Sequence, residues 1–366
     1  MVRRDILRHF DFWLFGCVVV LSIFGIAMIQ SAIAGNAALA GHVNRQIIYF
    51  ILGTGVILGV SIIDYHLFSS FSRLMYVFIF LFLVFTLAGE TAFGSTRWLS
   101  VSNLFFIQPS ELAKIIIIMV LSEYFSRTQH DDRNLMWIAK SGLLTFGIVI
   151  WILLQPNLST SIVILVIWAS MLWLSGLPIK YVIIFALAGI VLAFVAFPFL
   201  EEYQQQRILT FLFPDPSARY GNSYNVEQAL ITIGSGSWLG QGYGQGTQVQ
   251  LRFLKVRHTD FIFSAMSEEF GFVGTMIVVL LLIFVVIRCL YVARNAPDNF
   301  GSMIAFGIAV LIFFQMTVNI GVNLNVLPVT GLTLPFVSYG GSSLLSLVLG
   351  IGLVESVAAH SHNLEF

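Results

Sequence analysis

One carboxylate lies where a long polar segment of the chain meets an apolar run, a place where it could do acid–base chemistry. Asp260 follows Arg257-His258-Thr259 and precedes the run Phe261–Phe263. An aspartate has an ordinary pKa of about 3.9, so it is ionised at neutral pH and can accept a proton from a hydroxyl group. The same carboxylate could instead pair with Arg257 or cap the next helix. The residues alone leave the catalytic and the structural interpretation equally open.

A second group with possible chemistry begins the fourth predicted helix. Gln108-Pro109-Ser110 is followed by Glu111 and Lys114, which share a helix face because they are three residues apart. A charge inside a bilayer costs at least ~2.5 kcal/mol, so the two side chains should face each other or a cavity. They could form a structural ion pair. They could equally belong to an anion site for a lipid pyrophosphate, with Arg97 and Trp98 on the preceding loop.

Two further motifs predict structure rather than chemistry. Glu268 and Glu269 are adjacent, and neighbouring helical residues point about 100° apart, so they cannot face one substrate together. We interpret them as a polar helix start, where the helix dipole favours acids. The glycine-rich run 234–246 lacks the strand and helix of a dinucleotide-binding unit. It predicts flexible turns that let the backbone approach a ligand or a partner closely.

The composition shows what kind of protein must position these groups. Of 366 residues, 58% are hydrophobic and only 10% are charged, and the mean hydropathy is +0.92. Soluble domains carry about 25% charged residues, so a soluble enzyme, a disordered protein and a disulfide scaffold are excluded. The formal net charge of zero gives no bulk attraction to nucleic acid. The sequence predicts an all-α, polytopic integral membrane protein whose residues 1–366 form a single transmembrane domain.

The gaps between charged residues predict about ten transmembrane helices, each of roughly 20 residues. A long polar segment, about 199–265, separates the seventh from the eighth. Within this segment we expect a short helix over Gln204–Phe213 and a short strand over Thr247–Phe253. A segment of this length inside a compact protein is usually functional.

The distribution of Lys and Arg over the short loops predicts the orientation. The short loops on one side hold only Arg45 and Arg97. The long segment is left out of this count because long loops cross the membrane largely regardless of their charge. The segments on the other side hold Arg3, Arg4, Arg8, Arg73, Arg127, Arg133, Lys140, Lys180, Arg288 and Arg294. Both termini are therefore predicted in the cytoplasm, with Asp260 and the start of the fourth helix outside.

Five motifs together resemble the SEDS family (shape, elongation, division and sporulation) over nearly the whole chain. They are Gln108–Lys114, Gln155-Pro156, Gly246–Gln250, His258–Phe263 and Leu334–Ser342, in this order. Gly246-Thr247-Gln248 and the modest tails resemble the elongation branch more than the division branch. The resemblance implies a peptidoglycan glycosyltransferase of the cytoplasmic (inner) membrane. Such an enzyme polymerises lipid II, an undecaprenyl-pyrophosphate-linked disaccharide pentapeptide, on the outer face and releases undecaprenyl pyrophosphate.

The resemblance also implies roles for individual residues and partners. Asp260 would be the general base, and Lys114 and Arg97 would stabilise the leaving pyrophosphate, with room for a divalent cation (Mg²⁺ or Mn²⁺) and no other cofactor. The expected partners are a class B penicillin-binding protein transpeptidase and the rod-elongation complex, and no nucleic acid. The substrate-binding residues would be Arg97, Trp98, Gln108, Ser110, Glu111, Lys114, Asn157, Arg257, His258, Thr259, Ser338 and Ser342.

The chain departs from the family pattern at two places. Asn157 stands where the family usually has Asp, and an amide accepts no proton at neutral pH. Lys255-Val256-Arg257 replaces a segment that usually contains an acid, which changes contacts with substrate or partner. Two other functions remain open at this stage: a lipid II flippase, which needs a polar path across the bilayer, and a non-catalytic scaffold for a penicillin-binding protein, for which Asp260 would be dispensable.

Overall fold

The computed structural model describes residues 9–36, 39, 41–88, 99–100, 106–213 and 222–361, and these are mostly helical. Two short strands, β1 (Leu99–Ser100) and β2 (Phe106–Ile107), pair antiparallel. A 3₁₀ turn, Phe197–Phe199, directly follows the helix that ends at Ala196. The helices are α1 (Phe12–Ile33), α2 (Gly41–Ile62), α3 (His66–Ala88), α4 (Pro109–Arg127), α5 (Leu135–Leu154), α6 (Leu158–Leu174), α7 (Ile179–Ala196), α8 (Glu202–Leu212), α9 (Asn222–Ser235), α10 (Thr247–Gln250), α11 (Ile262–Asn295), α12 (Asn299–Asn323) and α13 (Gly341–Ala359).

Within the described residues, eight helices are long and apolar enough to cross a membrane: α1, α2, α3, α5, α7, α11, α12 and α13. Two further helices complete the bundle. α6 is apolar but has only 17 residues, and α4 has 19 residues that include Glu111, Lys114 and Glu123. With these two, the architecture confirms the predicted all-α, polytopic membrane protein, and a long segment separates α7 from α11.

Local signals in the sequence explain where several helices begin. The Asp11 side chain caps α1 by accepting a hydrogen bond from Leu14 N at 3.1 Å. Asn134 caps α5 in the same way at Trp137 N, and Asp298 caps α12 at Gly301 N. Pro109 occupies the first position of α4, where its missing N–H costs no helical hydrogen bond. These caps satisfy N–H groups that helix starts otherwise leave unpaired.

The helices differ in how deeply they lie in the bundle. α12 and α13 have 67% and 83% of their most apolar stretch buried, and α4 is buried along nearly its whole length. Among the residues of α7 whose side chains are described, none is buried. The centre of the bundle is therefore formed by α4, α12 and α13. Glu111, Lys114 and Glu123 of α4 therefore lie in this interior rather than against lipid.

The long segment is ordered by its contacts with α11. The expected helix over Gln204–Phe213 is confirmed as α8. The strand expected over Thr247–Phe253 is wrong, since Thr247–Gln250 forms the single helical turn α10. A Cβ added at Gly236 or Gly240 would lie 1.9 Å from Ser267 O or 2.2 Å from Glu269 O. The glycine-rich run thus permits a close backbone approach, but the neighbour at these two glycines is α11 of the same chain, and the expected approach to a ligand or a partner stays a prediction.

The prediction that Glu268 and Glu269 form an ordinary polar helix start is wrong. α11 begins at Ile262, so both residues lie in its second turn, where they are 0% and 1% exposed. Glu268 accepts hydrogen bonds from Gln248 N at 2.8 Å and Val249 N at 3.1 Å. The Ser31 hydroxyl donates to Glu269. The two carboxylates therefore join α11 to the long segment and to α1, because buried acids require donors that surface acids do not.

Candidate active site

A cavity of about 460 Å³ opens at the end of the bundle where the long segment lies. It lies between the first turns of α2, α4 and α6, the inner part of α12, and the loops that precede α11 and α13. Its lining is His42, Arg45, Tyr49, Gln108, Glu111, Asn157, Ser159, Thr160, Arg207, Val256, Thr259, Asp260, Gln315, Thr330, Gly331, Leu332, Thr333, Tyr339, Gly340, Gly341 and Ser343.

The backbone that carries Asp260 is held by hydrogen bonds at three successive carbonyl groups. Tyr339 N donates to His258 O at 2.9 Å, and Ser338 Oγ donates to Thr259 O at 2.8 Å. The side-chain amides of Asn319 and Asn323, on α12, donate to Asp260 O at 3.1 and 2.9 Å. These bonds fix the position of Asp260 before any ligand binds, which is the condition for an efficient proton acceptor.

The Asp260 carboxylate has an environment suited to proton transfer. Removal from water raises its pKa to about 6, because burial disfavours the charged form, while the nearby Arg207 guanidinium and a hydrogen bond from Thr259 act in the opposite direction. A Cβ at Gly331, whose φ is +79°, would lie 3.9 Å from Asp260 Oδ2 and 4.0 Å from Arg207 Nη1. Gly331 therefore lies within van der Waals reach of both groups, in a backbone conformation that residues with a side chain rarely adopt.

Glu111 and Lys114 form a buried ion pair, with Lys114 Nζ 2.7 Å from Glu111 Oε2 and side chains 0% and 9% exposed. Ser346 Oγ also donates to Glu111 Oε2 at 3.2 Å. Glu111 lines the cavity, whereas Lys114 lies behind it. The expectation that Lys114 faces a pyrophosphate is therefore not met, because its ammonium group is directed to Glu111. The cations that line the cavity are Arg45 and Arg207.

Several other expected residues lie in or beside the cavity. Gln108 lines it, and Ser342 lies behind Gln108 and accepts a hydrogen bond from its N–H at 3.1 Å. Asn157 lines it too and caps α6, accepting from Thr160 N at 3.3 Å, while its Nδ2 donates to the fully buried Ser110 Oγ at 3.3 Å. Ser110 and Ser342 thus support cavity residues from behind.

The remaining expected residues divide into four groups. Thr259 lines the cavity, and Ser338 holds its carbonyl group. The Arg257 side chain donates to Ala32 O and to Leu254 O and is not part of the cavity lining, so its expected substrate contact stays a prediction that this arrangement does not support. The ring of His258 packs 5.7 Å from that of His42, centroid to centroid, and burial lowers its pKa to about 4. Arg97 and Trp98 lie outside the described residues.

Some residues that shape the site escaped the sequence reasoning. Arg207 belongs to α8, which contains no recognised motif. His42 and Arg45 lie in the first turns of α2, whose sequence pattern predicts only a membrane span. Gln315, Asn319 and Asn323 did leave a signal. They recur every four residues on a helix without charges, so their amides share one face. Such a polar stripe on a buried helix indicates hydrogen-bonded function.

Within the described ranges, no three residues among His, Cys, Asp and Glu lie close enough together to hold a metal ion. Of the acidic residues described, only Glu111 and Asp260 line the cavity. The described residues therefore do not fit a metal ion held by the protein alone.

Comparisons with known proteins identify the family to which this chain belongs. The family model for FtsW/RodA/SpoVE, described as cell cycle protein, matches residues 9–363. The chain is 33% identical over 354 residues to the Escherichia coli K12 peptidoglycan glycosyltransferase MrdB, covering 96% of this chain and 94% of that protein. It is 34% identical over 355 residues to Pseudomonas fluorescens FtsW, named a probable peptidoglycan glycosyltransferase, covering 93% and 85%.

Solved structures agree with the sequence relatives. A chain from a peptidoglycan synthase complex, described as coordinating polymerization and crosslinking, superposes with a TM-score of 0.81 and 28% identity. The rod shape determining protein RodA of Thermus thermophilus superposes with a TM-score of 0.72 and 27% identity. Each match covers 96% of this chain and 98% of the other. The protein is therefore a member of the FtsW/RodA/SpoVE family of cell cycle proteins, the SEDS family that its motifs indicate.

Proposed function

We propose that this protein is a peptidoglycan glycosyltransferase that polymerises lipid II into glycan strands during cell elongation, with Asp260 as the general base. The observation that carries the proposal is the position of Asp260. Its carboxylate faces a cavity of suitable size, and its backbone is fixed at three carbonyl groups. Its raised pKa suits a base that works near neutral pH. The relatives named peptidoglycan glycosyltransferases support the same reaction.

The reaction follows from the groups that face the cavity. Asp260 takes the proton of an acceptor sugar hydroxyl as its oxygen attacks the anomeric carbon of the donor. The bond from that carbon to the pyrophosphate oxygen breaks, and undecaprenyl pyrophosphate leaves with the electron pair. Arg207 and Arg45, the cations of the described lining, stabilise the negative charge that develops on the pyrophosphate. Lys114 contributes indirectly, by holding Glu111 in place. The stabilising contact suggested for Arg97, and for Trp98 beside it, stays a prediction.

A divalent cation at the pyrophosphate, Mg²⁺ or Mn²⁺, stays a prediction as well. The cavity offers it two carboxylates at most, Glu111 and Asp260, and Glu111 is already paired with Lys114. Such an ion would therefore depend on the pyrophosphate oxygens for most of its ligands, as Mg²⁺ bound with phosphates commonly does. No step of the proposed reaction is assigned to it.

We place the protein in the cytoplasmic (inner) membrane, with both termini in the cytoplasm and the cavity on the outer side. The placement is supported by the distribution of cations over the helix ends. Among the described residues, the end opposite the cavity carries Arg73, Arg127, Arg133, Lys140, Lys180, Arg288 and Arg294. Positive loops are retained in the cytoplasm. A cavity on the outer side would receive a substrate that has already crossed the membrane.

The proposed partners are a class B penicillin-binding protein transpeptidase and the rod-elongation complex, with no nucleic acid. A structural relative belongs to a synthase complex described as coordinating polymerization and crosslinking, which supports a crosslinking partner. Assignment to elongation rests on Gly246-Thr247-Gln248, since identities to MrdB and FtsW are similar.

The function is tested with purified protein, a class B penicillin-binding protein whose transpeptidase is inactivated, and fluorescent lipid II. We expect glycan polymer, detected by gel electrophoresis, and its digestion by a muramidase. The partner alone is the control. Transfer of lipid II between leaflets of liposomes without polymer would favour the flippase. The absence of both activities, with the partner still bound, would favour the scaffold.

The pH dependence of polymerisation should report the ionisation of Asp260. A general base works only when deprotonated. A plot of log(kcat/KM) against pH should therefore rise with a slope of one below about pH 6 and become constant above it. His258, with a pKa of about 4, is neutral over this range. Because the Arg207 cation lowers the pKa of Asp260, Arg207→Gln should move the rising limb to higher pH. A rising limb that stays unchanged in Arg207→Gln would contradict the assignment.

A further inference from the structure

The amide stripe of α12, formed by Gln315, Asn319 and Asn323, contains one member whose polar atom is left without a partner. All three side chains are at most 1% exposed. Asn319 donates to the carbonyl groups of Asp260 and Leu332, and Asn323 donates to Asp260 and accepts from Ser264. Among the residues that the structure describes, none donates to Gln315 Oε1, although this atom is shielded from solvent.

An unsatisfied amide inside a membrane protein carries a cost that requires a reason. Buried polar atoms are nearly always hydrogen-bonded, because the desolvation of an unpaired one weakens the fold. Methionine or leucine would fill the same space on this apolar helix without that cost. Rotation of the Gln315 side-chain amide by 180° would only exchange its oxygen and nitrogen, so a polar atom occupies this position in both orientations. A group that binds at the site could supply the missing partner, and Gln315 lines the cavity that contains Asp260.

The position of Gln315 indicates which part of a substrate could reach it. It precedes Asn319 by four residues, which is about 6 Å along the helix axis. Asn319 is bonded directly to the backbone of Asp260. A ligand atom at Gln315 therefore lies near the hydroxyl that Asp260 deprotonates. This distance favours the sugar of the substrate over the polyprenyl chain.

We propose that Gln315 is a specificity-determining residue, whose side-chain oxygen accepts a hydrogen bond from an N–H or O–H group of an acetamido sugar bound in the cavity. The inference rests on the proposed function and adds a contact that selects the sugar. The acetamido N–H and the ring hydroxyl groups share the required donor chemistry. A site built around such a bond discriminates strongly against analogues that lack it, because the buried acceptor is then left unpaired.

The first arm of the test uses the wild-type protein in complex with its penicillin-binding partner. Lipid II is compared with an analogue in which azide replaces the acetamido group, and with analogues that lack single ring hydroxyl groups. We expect kcat/KM to fall about tenfold for the analogue that lacks the partner of Gln315. Loss with the azido analogue identifies the N–H, and loss with a deoxy analogue identifies an O–H. Equal use of all analogues would overturn the proposal.

The second arm uses Gln315→Met, which keeps the length of the side chain and removes the amide. Thermal unfolding should be unchanged or shifted upward, since the unsatisfied atom is gone. We expect kcat/KM for lipid II to fall about tenfold, and the variant should no longer distinguish lipid II from the critical analogue. The matched control is Thr317→Val on the same helix, whose exposed hydroxyl bonds only to Phe313 O within α12.

The outcomes separate the inference from the function on which it rests. Unchanged kcat/KM in Gln315→Met would overturn the inference and would indicate that a buried water satisfies Oε1. An equal loss on lipid II and on every analogue would also overturn it, because a structural role would not depend on the sugar. Absence of polymer with the wild-type complex would overturn the proposed function itself, independently of Gln315.

Discussion

Replacement of Asp260 by asparagine should reduce polymer formation from lipid II by about 10²- to 10⁴-fold, the usual contribution of a general base. The variant keeps the backbone, so the hydrogen bonds from Asn319 and Asn323 to Asp260 O remain possible. Only the proton acceptor is lost. The measurement is the initial rate of glycan formation by the complex with its transpeptidase partner, with lipid II at saturation.

The design of this experiment separates catalysis from folding. Because burial disfavours the charged carboxylate, a neutral amide should fold at least as well as the wild type, and thermal unfolding should show no loss of stability. Glu227→Gln is the matched control, since this acid belongs to the same long segment and is exposed on α9. Polymer formation by Asp260→Asn at the wild-type rate would refute the assignment of the base and would favour the scaffold.

Lys114→Met should lower the free energy of unfolding by about 3–5 kcal/mol, because it leaves the Glu111 carboxylate buried and unpaired. The two groups are 2.7 Å apart, and the lysine side chain is fully buried. Thermal or denaturant unfolding in detergent micelles measures the effect. Arg127→Met is the matched control on the same helix. It interrupts the pair with Glu123, whose side chain is 12% exposed but keeps the hydrogen bond from Ser69. Because 60% of the Arg127 side chain is exposed, the loss should be clearly smaller than for Lys114→Met.

The double variant Glu111→Gln with Lys114→Met decides what the pair does. Removal of both charges removes the unpaired carboxylate, so most of the lost stability should return. Polymerisation should return with it if the pair has only a structural role. A double variant that folds normally but forms no polymer would show that the charges themselves are needed at the pyrophosphate. Stability equal to wild type in Lys114→Met alone would contradict the burial argument.

The substitution of Asn157 for the usual aspartate has a structural explanation in this chain. Its Oδ1 caps α6 and its Nδ2 donates to Ser110, so both ends of the amide are used. An aspartate would retain the cap and lose the donor. The described lining therefore holds two carboxylates, the proposed base Asp260 and Glu111, which is paired with Lys114.

The sequence alone determined the membrane-spanning class, the order of the helices and the motifs that meet at one end of the bundle. These follow from hydropathy, from the spacing of charges and from caps such as Asp11 and Asn134, which act within a few residues of the chain. The residues alone singled out Asp260 as a carboxylate at the edge of an apolar run but left its role open, and the resemblance to the SEDS family favoured the role of general base.

Only the tertiary structure decided which groups face the cavity. It directed Lys114 to Glu111 and Arg257 to the carbonyl groups of Ala32 and Leu254, and it brought Arg207 from the long segment to the side of Asp260. It also buried Glu268 and Glu269, whose carboxylates accept hydrogen bonds from the long segment and from α1. These outcomes depend on residues far apart in the chain, such as Ser31 and Glu269. Local periodicity reports which face of a helix is polar, whereas the partner that satisfies each buried charge is chosen by the packing of the whole bundle.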